Sequence, residues 1–238
     1  MYHAPRGIAQ PAGLPAAHRA RYDEPPMSVT IRGLIFDFGG VINNMRWDVA
    51  NELEEEHGLE RGMIVRSLYQ NDLWLAVETG VGDAELWRAS AHRTLEQAAG
   101  RSLPPLHDRW QDSWRPIKEN IELIGALRPP YRIGILSNAG LDLEERIQNG
   151  MGIHHLFDDI VCSAVVGMAK PDHRIYTLAA ERLGVPAEEC LFIDDAERNV
   201  TAAREVGMTA VHYRIHHGDD LAAQLEEHGI RPKVARKA

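Results

Sequence analysis

The chain has 238 residues, which suffice for one large domain or two modest ones. Its formal net charge of -9 argues against a nucleic-acid-binding protein, because a phosphate backbone requires a basic surface. No apolar run approaches the roughly 20 residues that a membrane-spanning helix requires. The two cysteines, Cys162 and Cys190, lie in or beside apolar runs, so we expect buried thiols and a cytoplasmic protein.

The first 30 residues differ in composition from the rest of the chain. They are rich in Pro, Ala, Gly and Arg, show no amphipathic period and lack the continuous apolar segment of a signal peptide. This composition predicts a disordered leader over residues 1–30. Met27 lies just before the first predicted strand and is a candidate for the natural start. A transit peptide is the less favoured alternative, because Asp23 and Glu24 are unfavourable there.

Short apolar runs typical of buried strands alternate with helical patterns over most of the remaining chain. The predicted strands are Gly33–Asp37, Arg132–Ser137, Ile160–Cys162, Cys190–Asp194 and Thr209–Tyr213. The predicted helices are Leu141–Gln148, Arg174–Leu183, Glu197–Val206 and Asp219–His228. Each of these helices is closely followed by a glycine, which is typical of a helix C-terminus. The alternation predicts an α/β fold with a Rossmann-like parallel sheet that is covered on both faces.

Residues 45–118 interrupt this alternation. They contain no strand-like run, and their pattern predicts helices instead. The predicted helical segments are Asp48–Glu56, Gly62–Gln70 and Asp83–Ala99. The sequence therefore predicts a helical domain of residues 45–118, inserted into an α/β core of residues 31–44 and 119–238.

Polar side chains lie at or just beyond the ends of four successive core segments. In chain order they are Asp37, Ser137, Asn138, Lys170, Asp194 and Asp195. Because the carboxyl ends of parallel strands share one edge of a sheet, we expect these side chains to meet there. Purely structural explanations also exist for these residues. The Asp and Ser residues could cap turns or helices, and Lys170 could be a solvated surface lysine.

The order of these motifs resembles the haloacid dehalogenase (HAD) superfamily over about residues 31–230. The inserted helices are similar to the helical cap that one branch of this superfamily carries between its first two motifs. The resemblance implies that Asp37 is a nucleophile that forms an aspartyl-phosphate. It also implies a Mg²⁺ site formed by Asp37, the backbone carbonyl of Gly39 and Asp195, with Asp194 beside it. Hard oxygen ligands of this kind suit Mg²⁺.

The same resemblance assigns tasks on the substrate side. Ser137 and Asn138 would bind the phosphate group, and Lys170 would neutralise the charge of the nucleophile and of the phosphate. The implied reaction is Mg²⁺-dependent hydrolysis of a small phosphorylated metabolite, such as a sugar phosphate. Further candidates for substrate contact follow the first motif at the hinge to the inserted helices, and they are Asn43, Arg46 and Trp47.

Gly39 departs from the pattern of most phosphatases in the superfamily. They carry a second aspartate there, which protonates the leaving group and later activates water. Its absence predicts a slow phosphatase, a substrate with a good leaving group, or a substitute acid. A 2-haloacid dehalogenase also lacks this aspartate, but it needs no metal and has Ser/Asn where this chain has Asp194 and Asp195. Dehalogenase activity and a non-catalytic phosphate-ligand-binding regulatory protein remain the alternatives, and the sequence makes no prediction about oligomeric state.

Overall fold

The computed structural model describes residues 30–232 and consists of strands and helices that alternate along most of the chain. The predicted leader and Met27 lie outside the described residues, apart from Thr30. The strands are β1 (Gly33–Phe36), β2 (Asn43–Asn44), β3 (Arg115–Pro116), β4 (Arg132–Ser137), β5 (Asp159–Cys162), β6 (Cys190–Asp194) and β7 (Thr209–His212). Five of them form one parallel sheet in the order β5-β4-β1-β6-β7.

The helices lie between these strands and after the last of them. They are α1 (Trp47–His57), α2 (Met63–Tyr69), α3 (Asp72–Glu78), α4 (Ala84–Ala99), α5 (Leu106–Gln111), α6 (Lys118–Ala126), α7 (Leu143–Glu145), α8 (Ser163–Val166), α9 (His173–Leu183), α10 (Glu197–Glu205) and α11 (Leu221–Glu227). No helix within residues 30–232 is both long enough and apolar enough to cross a bilayer.

The central sheet is buried on both faces, as the continuous apolar runs predicted. All four residues of β1 are buried. Alternate residues of this strand point to opposite faces, so Leu34 and Phe36 belong to one hydrophobic cluster and Ile35 belongs to the other. The predicted Rossmann-like α/β fold is therefore confirmed, with strand ends within one residue of the predicted ones.

Helices α1–α5, which we call the cap, pack around a hydrophobic cluster of their own. Two tryptophans, Trp87 and Trp110, are buried at its centre. The partly buried tryptophans that pack against this cluster are Trp47, Trp74 and Trp114. Aromatic side chains bury large areas, so a few of them suffice to stabilise a small helical unit.

Several local sequence predictions in the cap and core were wrong or incomplete. The sequence predicted no strand within residues 45–118, yet β3 pairs with β2 in a separate antiparallel ribbon. Two-residue strands are too short to show alternation, so no pattern indicates them. Helices α3 and α5 were also missed, since six or seven residues hold fewer than two full turns of the helical period.

The helix predicted over Leu141–Gln148 begins later and changes type. Helix α7 starts at Leu143, and a π-helical turn follows over Arg146–Gly150. Leu141 is 68% exposed, whereas Leu143 and Ile147 are fully buried against the sheet. Leu143 and Ile147 are four positions apart and lie on the same side of the segment, so their burial determines where the helix begins.

The connection from the core to α1 passes through a strained residue. Arg46 adopts the left-handed backbone conformation with a φ of 50°, which is uncommon for a residue with a side chain. Two polar side chains hold it: the Asn44 side chain accepts from the Arg46 amide at 2.9 Å, and the Trp110 indole donates to its carbonyl at 3.1 Å.

The cap is also held against the core at the end of α3. Gly80 follows this helix with a φ of 79°, and a Cβ atom at this position would clash with the backbone oxygen of Ala164 in α8. Only a residue without a side chain permits this close approach of the two backbones.

We expect Gly80→Ala to lower stability more than Gly100→Ala does. Both glycines have a positive φ, so either substitution costs about 1–2 kcal/mol of backbone strain. A Cβ at Gly100 meets open space, whereas the clash at Gly80 costs a further ~1–3 kcal/mol. Urea unfolding midpoints measure the difference, and equal midpoints for the two variants would contradict this account of the contact between α3 and α8.

Candidate active site

The carboxyl ends of β1, β4 and β6 bring the predicted polar residues to one edge of the sheet. Phe36 pairs with Ile135 and with Ile193, so the residues that follow in each strand lie side by side. Asp37 comes directly after β1 and is 8% exposed. Ser137 and Asp194 end the two neighbouring strands, and both are buried.

Lys170 lies at the centre of this edge, and its ammonium group is buried among oxygen atoms. Its Nζ donates to Asp194 Oδ2 at 2.6 Å and to the Leu136 carbonyl at 2.9 Å, and it lies 2.9 Å from Asp37 Oδ1. Burial alone would lower the pKa of Lys170, but Asp194 and Asp37 together raise it above its ordinary range. The ammonium is therefore charged and pairs two carboxylates at once.

The side chain of Asn138 fixes the backbone of this lysine. Its Oδ1 accepts from the Lys170 amide at 2.8 Å, and its Nδ2 donates to the Lys170 carbonyl at 2.9 Å. Both ends of the carboxamide are engaged with the lysine, and the contact between this amide and a phosphate stays a prediction. The geometry makes Asn138 a support for Lys170.

Asp37, Asp194 and Asp195 each offer an oxygen within 4.8 Å of the others, an arrangement that fits a metal ion. Three carboxylates outnumber the single ammonium of Lys170, so a divalent cation would balance the charge. Burial raises the pKa of the Asp37 carboxyl, although Lys170 opposes this effect. Burial, reinforced by the charges of Asp37 and Asp194, also raises the pKa of Asp195. An all-oxygen cluster of this kind suits Mg²⁺.

The two adjacent aspartates have different surroundings. Asp194 already accepts hydrogen bonds from Lys170, from the Asn199 carboxamide at 3.0 and 3.1 Å, and from the Ala196 amide at 2.8 Å. Asp195 is less buried, and its side chain faces the loop after β1. This difference favours Asp195 as a direct metal ligand and Asp194 as its buried support.

The two glycines after Asp37 serve the site in different ways. Gly40 has a φ of 75°, and a Cβ there would clash with Asp195 Oδ2, so the missing side chain is what admits this carboxylate. Gly39 has no such restriction, since a Cβ added at this position would have Met45 Sδ as its nearest neighbour, at 3.6 Å. A side chain at Gly39 would thus be tolerated sterically, and its backbone carbonyl stays the predicted metal ligand.

A cavity of about 650 Å³ adjoins Asp195 between the cap and the core. Trp47 lines it, and the ring of this residue packs 5.2 Å from that of Trp110. The other two predicted substrate-contact residues are not part of its lining. Asn43 is buried in β2, and Arg46 is paired through a contact of 2.7 Å with Asp48, which does line the cavity. Asn51, Arg61 and Arg214 also line it.

One buried acidic residue near the site was missed by the sequence analysis. Glu78, the last residue of α3, is 8% exposed and lies beside the Asn138 side chain. The run Leu73–Val77 is largely apolar, and Glu78 ends it just before Thr79 and Gly80. A carboxylate at the end of an apolar run and close to a glycine is the same signal that singled out Asp37.

Comparisons with known proteins agree with this architecture. The family model "Hydrolase: haloacid dehalogenase-like hydrolase" matches residues 31–207. A solved structure of a HAD family enzyme from Bacteroides thetaiotaomicron, in complex with magnesium and inorganic phosphate, superposes with a TM-score of 0.62. It is 22% identical, and the superposition covers 82% of this chain and 98% of that one. A likeness at this level of identity shows a shared fold.

Curated relatives include both phosphatases and dehalogenases. A phosphatase from Mycobacterium tuberculosis (strain CDC 1551 / Oshkosh) is 40% identical over 86 residues, which cover 36% of this chain and 40% of that protein. An (S)-2-haloacid dehalogenase from Pseudomonas fluorescens is 28% identical over 186 residues, which cover 74% of this chain and 82% of that protein. The match to the phosphatase therefore spans less than half of that relative.

The glycine pair permits a matched test of the metal site. We expect Gly40→Ala to abolish high-affinity Mg²⁺ binding, because the added Cβ displaces the Asp195 carboxylate. Gly39→Ala keeps the backbone carbonyl and has room for its Cβ, so its affinity should stay within about threefold of the unsubstituted protein, less than 1 kcal/mol. Isothermal titration with MgCl₂ measures both, and equal affinities would refute the proposed role of Gly40.

The raised pKa of Asp195 predicts how the stability of the metal-free protein depends on pH. The folded protein keeps a proton on this carboxyl that the unfolded chain releases near pH 4, so unfolding free energy is lost as the pH rises above that value. Asp195→Asn lacks this titration. We therefore compare unfolding temperatures in the presence of a chelator. As the pH rises from 5 to 8, the unfolding temperature of the unsubstituted protein should fall relative to that of Asp195→Asn.

Added Mg²⁺ provides the control for that comparison. At pH 8 it should raise the unfolding temperature of the unsubstituted protein, because it compensates the buried negative charge, and it should have a much smaller effect on Asp195→Asn. Scanning calorimetry supplies both measurements. A difference between the two proteins that is independent of pH would show that Asp195 keeps an ordinary pKa.

Proposed function

The chain belongs to the haloacid dehalogenase-like hydrolase family, as its motifs predicted, and from this premise we propose that it is a Mg²⁺-dependent phosphatase. It hydrolyses a small phosphomonoester, such as a sugar phosphate, through an aspartyl-phosphate on Asp37. The observation that carries this proposal is the cluster of Asp37, Asp194 and Asp195, whose oxygens lie within 4.8 Å of one another, beside the buried ammonium of Lys170, which contacts the first two.

The charge of the cluster favours phosphate chemistry over dehalogenation. A carboxylate can attack a phosphate ester only when the negative charge of both partners is screened by cations. Lys170 supplies one positive charge, and a Mg²⁺ ion held by Asp37, the Gly39 carbonyl and Asp195, with Asp194 beside it, would supply two more. A dehalogenase attacks a carbon atom and has no need for the second and third carboxylates.

The reaction then follows from the positions of the chain's own residues. An Asp37 carboxylate oxygen attacks phosphorus, and the bond between phosphorus and the leaving-group oxygen breaks. Lys170 stabilises the charge that develops on the phosphoryl oxygens, and the Ser137 hydroxyl donates to one of them. Water then attacks phosphorus, releases inorganic phosphate and restores the Asp37 carboxylate.

The cavity beside Asp195 supports a small polar leaving group. Its volume of about 650 Å³ would accommodate a metabolite with a few carbon atoms and hydroxyl groups. Trp47 offers an aromatic surface on which a sugar ring could pack, and Asn51, Arg61 and Arg214 offer hydrogen-bond donors.

Two buried free thiols, Cys162 and Cys190, are consistent with a protein of the reducing cytoplasm.

The test is phosphate release from a panel of sugar phosphates, other small phosphomonoesters and an activated aryl phosphate, with and without Mg²⁺. We expect release that requires Mg²⁺, and we expect Asp37→Asn to lower kcat at least about 10³-fold, because the nucleophile is lost. Asp112→Asn, an exposed aspartate of the cap, is the matched control and should leave kcat unchanged.

Two outcomes would contradict the proposal. Halide release from 2-haloacids without release of phosphate would identify a dehalogenase. Metal-dependent binding of inorganic phosphate without turnover of any ester would indicate a regulatory protein that binds a phosphorylated ligand.

A further inference from the structure

Glu78 is a cap carboxyl that reaches the catalytic edge of the core. It ends α3, and only 8% of it is exposed. Its carboxyl lies beside the Trp74 indole and the Asn138 side chain, and the charge of Lys170 acts on it. Buried carboxyls are uncommon unless they are paired or functional, and Glu78 lies beside the site described above.

A short chain of contacts links Glu78 to the nucleophile. Asn138 Nδ2 carries two hydrogens: one is donated to the Lys170 carbonyl, and the other is available to Glu78. Lys170 in turn lies 2.9 Å from Asp37 Oδ1. Asn138 and Lys170 thus connect the cap carboxyl to the nucleophile.

The position of Glu78 is fixed by the backbone as well as by these side chains. Two residues later, Gly80 packs against the Ala164 carbonyl of α8 so closely that no Cβ would fit. The end of α3 is therefore seated on the core, and Glu78 lies where this helix meets it. In phosphoryl transfer the leaving group departs on the side opposite the nucleophile, so an acid for it must come from outside the strand that carries Asp37.

The surroundings of Glu78 keep it able to hold a proton. Burial raises the pKa of its carboxyl above the ordinary range of a glutamate. The Trp74 and Asn138 donors and the positive charges of Arg198 and Lys170 oppose this effect without cancelling it. A carboxyl in this condition can donate a proton near neutral pH more readily than an exposed glutamate can.

We propose that Glu78 is the general acid and base that takes the place of the aspartate missing at Gly39, and this assignment rests on the proposed phosphatase function. In the first step Asp37 bonds to phosphorus, the bond from phosphorus to the leaving-group oxygen breaks, and that oxygen takes the Glu78 proton. In the second step water bonds to phosphorus, the bond from phosphorus to Asp37 breaks, and the Glu78 carboxylate takes the proton from water. The acid is thereby restored.

A purely structural task for Glu78, as a latch between cap and core, makes a different prediction. Loss of a latch would slow the reaction of every substrate by the same factor, because it would affect binding and closure. Loss of a general acid slows only those substrates whose leaving group requires a proton. The dependence of rate on the leaving group therefore separates the two tasks.

The experiment compares the full-length protein with Glu78→Gln on aryl and alkyl phosphates in the presence of Mg²⁺. For alkyl phosphates we expect kcat/KM to fall roughly 10²- to 10⁴-fold, the usual contribution of acid catalysis, and for p-nitrophenyl phosphate to change less than about threefold. Because the base is lost as well, kcat for p-nitrophenyl phosphate should fall. A burst of one p-nitrophenol per active site should then precede the slow steady state.

Three controls make the result decisive. Glu85→Gln removes an exposed cap carboxyl and should leave the dependence on the leaving group unchanged. Inhibition by inorganic phosphate and the unfolding temperature should be the same for Glu78→Gln and the unsubstituted protein. If the Gln variant does not fold, Glu78→Asp, which keeps the acid but withdraws it by one methylene, should show a smaller loss confined to alkyl phosphates.

A uniform fall in kcat/KM for all leaving groups, without a burst, would overturn the assignment of Glu78 and leave the phosphatase in place. Inactivity of the unsubstituted protein on every phosphate would instead remove the phosphatase function itself, and the assignment with it.

Discussion

The buried ion pairs of Lys170 are the interaction on which the site depends. An ammonium group removed from water is tolerated only when charged and polar partners replace the lost hydration, and here Asp37, Asp194 and the Leu136 carbonyl do so. The same contacts hold the nucleophile on one side and the acidic pair on the other. Asn138 keeps the lysine backbone in place, so the charge is positioned from both ends.

The excess of negative charge that remains has a structural origin. Gly40 lets Asp195 approach the loop after β1, where it joins two other buried carboxylates. Proteins arrange like charges at such close range mainly where a cation or a reaction requires them, because the arrangement costs stability otherwise. Placing these carboxylates together therefore costs folding stability and provides a site that can bind a cation or take part in a reaction.

The cap contributes side chains to the site that the core does not provide. It has its own hydrophobic cluster, so it can hold a rigid position over the sheet edge. It brings Trp47 to the cavity beside Asp195 and Glu78 close to Asn138 and Lys170. If Glu78 is the acid, then proton transfer depends on the seating of α3 against α8, and cap position and chemistry are coupled. A core aspartate would carry no such dependence.

The sequence by itself determined the sheet, its burial and the residues at its edge. Continuous apolar runs, glycine-terminated helices and polar residues at strand ends are local signals, and the strands followed them within one residue. The family and the fold followed from the same motifs. Even the departure at Gly39 was visible in the sequence, because it is the absence of one side chain at a fixed spacing from Asp37.

Only the tertiary structure decided which contacts these residues make. No spacing along the chain indicated that the Asn138 carboxamide holds Lys170, or that Glu78, 41 positions after Asp37 in the sequence, lies near both of them. Helix α3 has only seven residues, and its place is set by packing against α8, which is distant in sequence. Contacts between segments far apart in the chain depend on how the cap packs on the core, and local patterns carry no information about that packing.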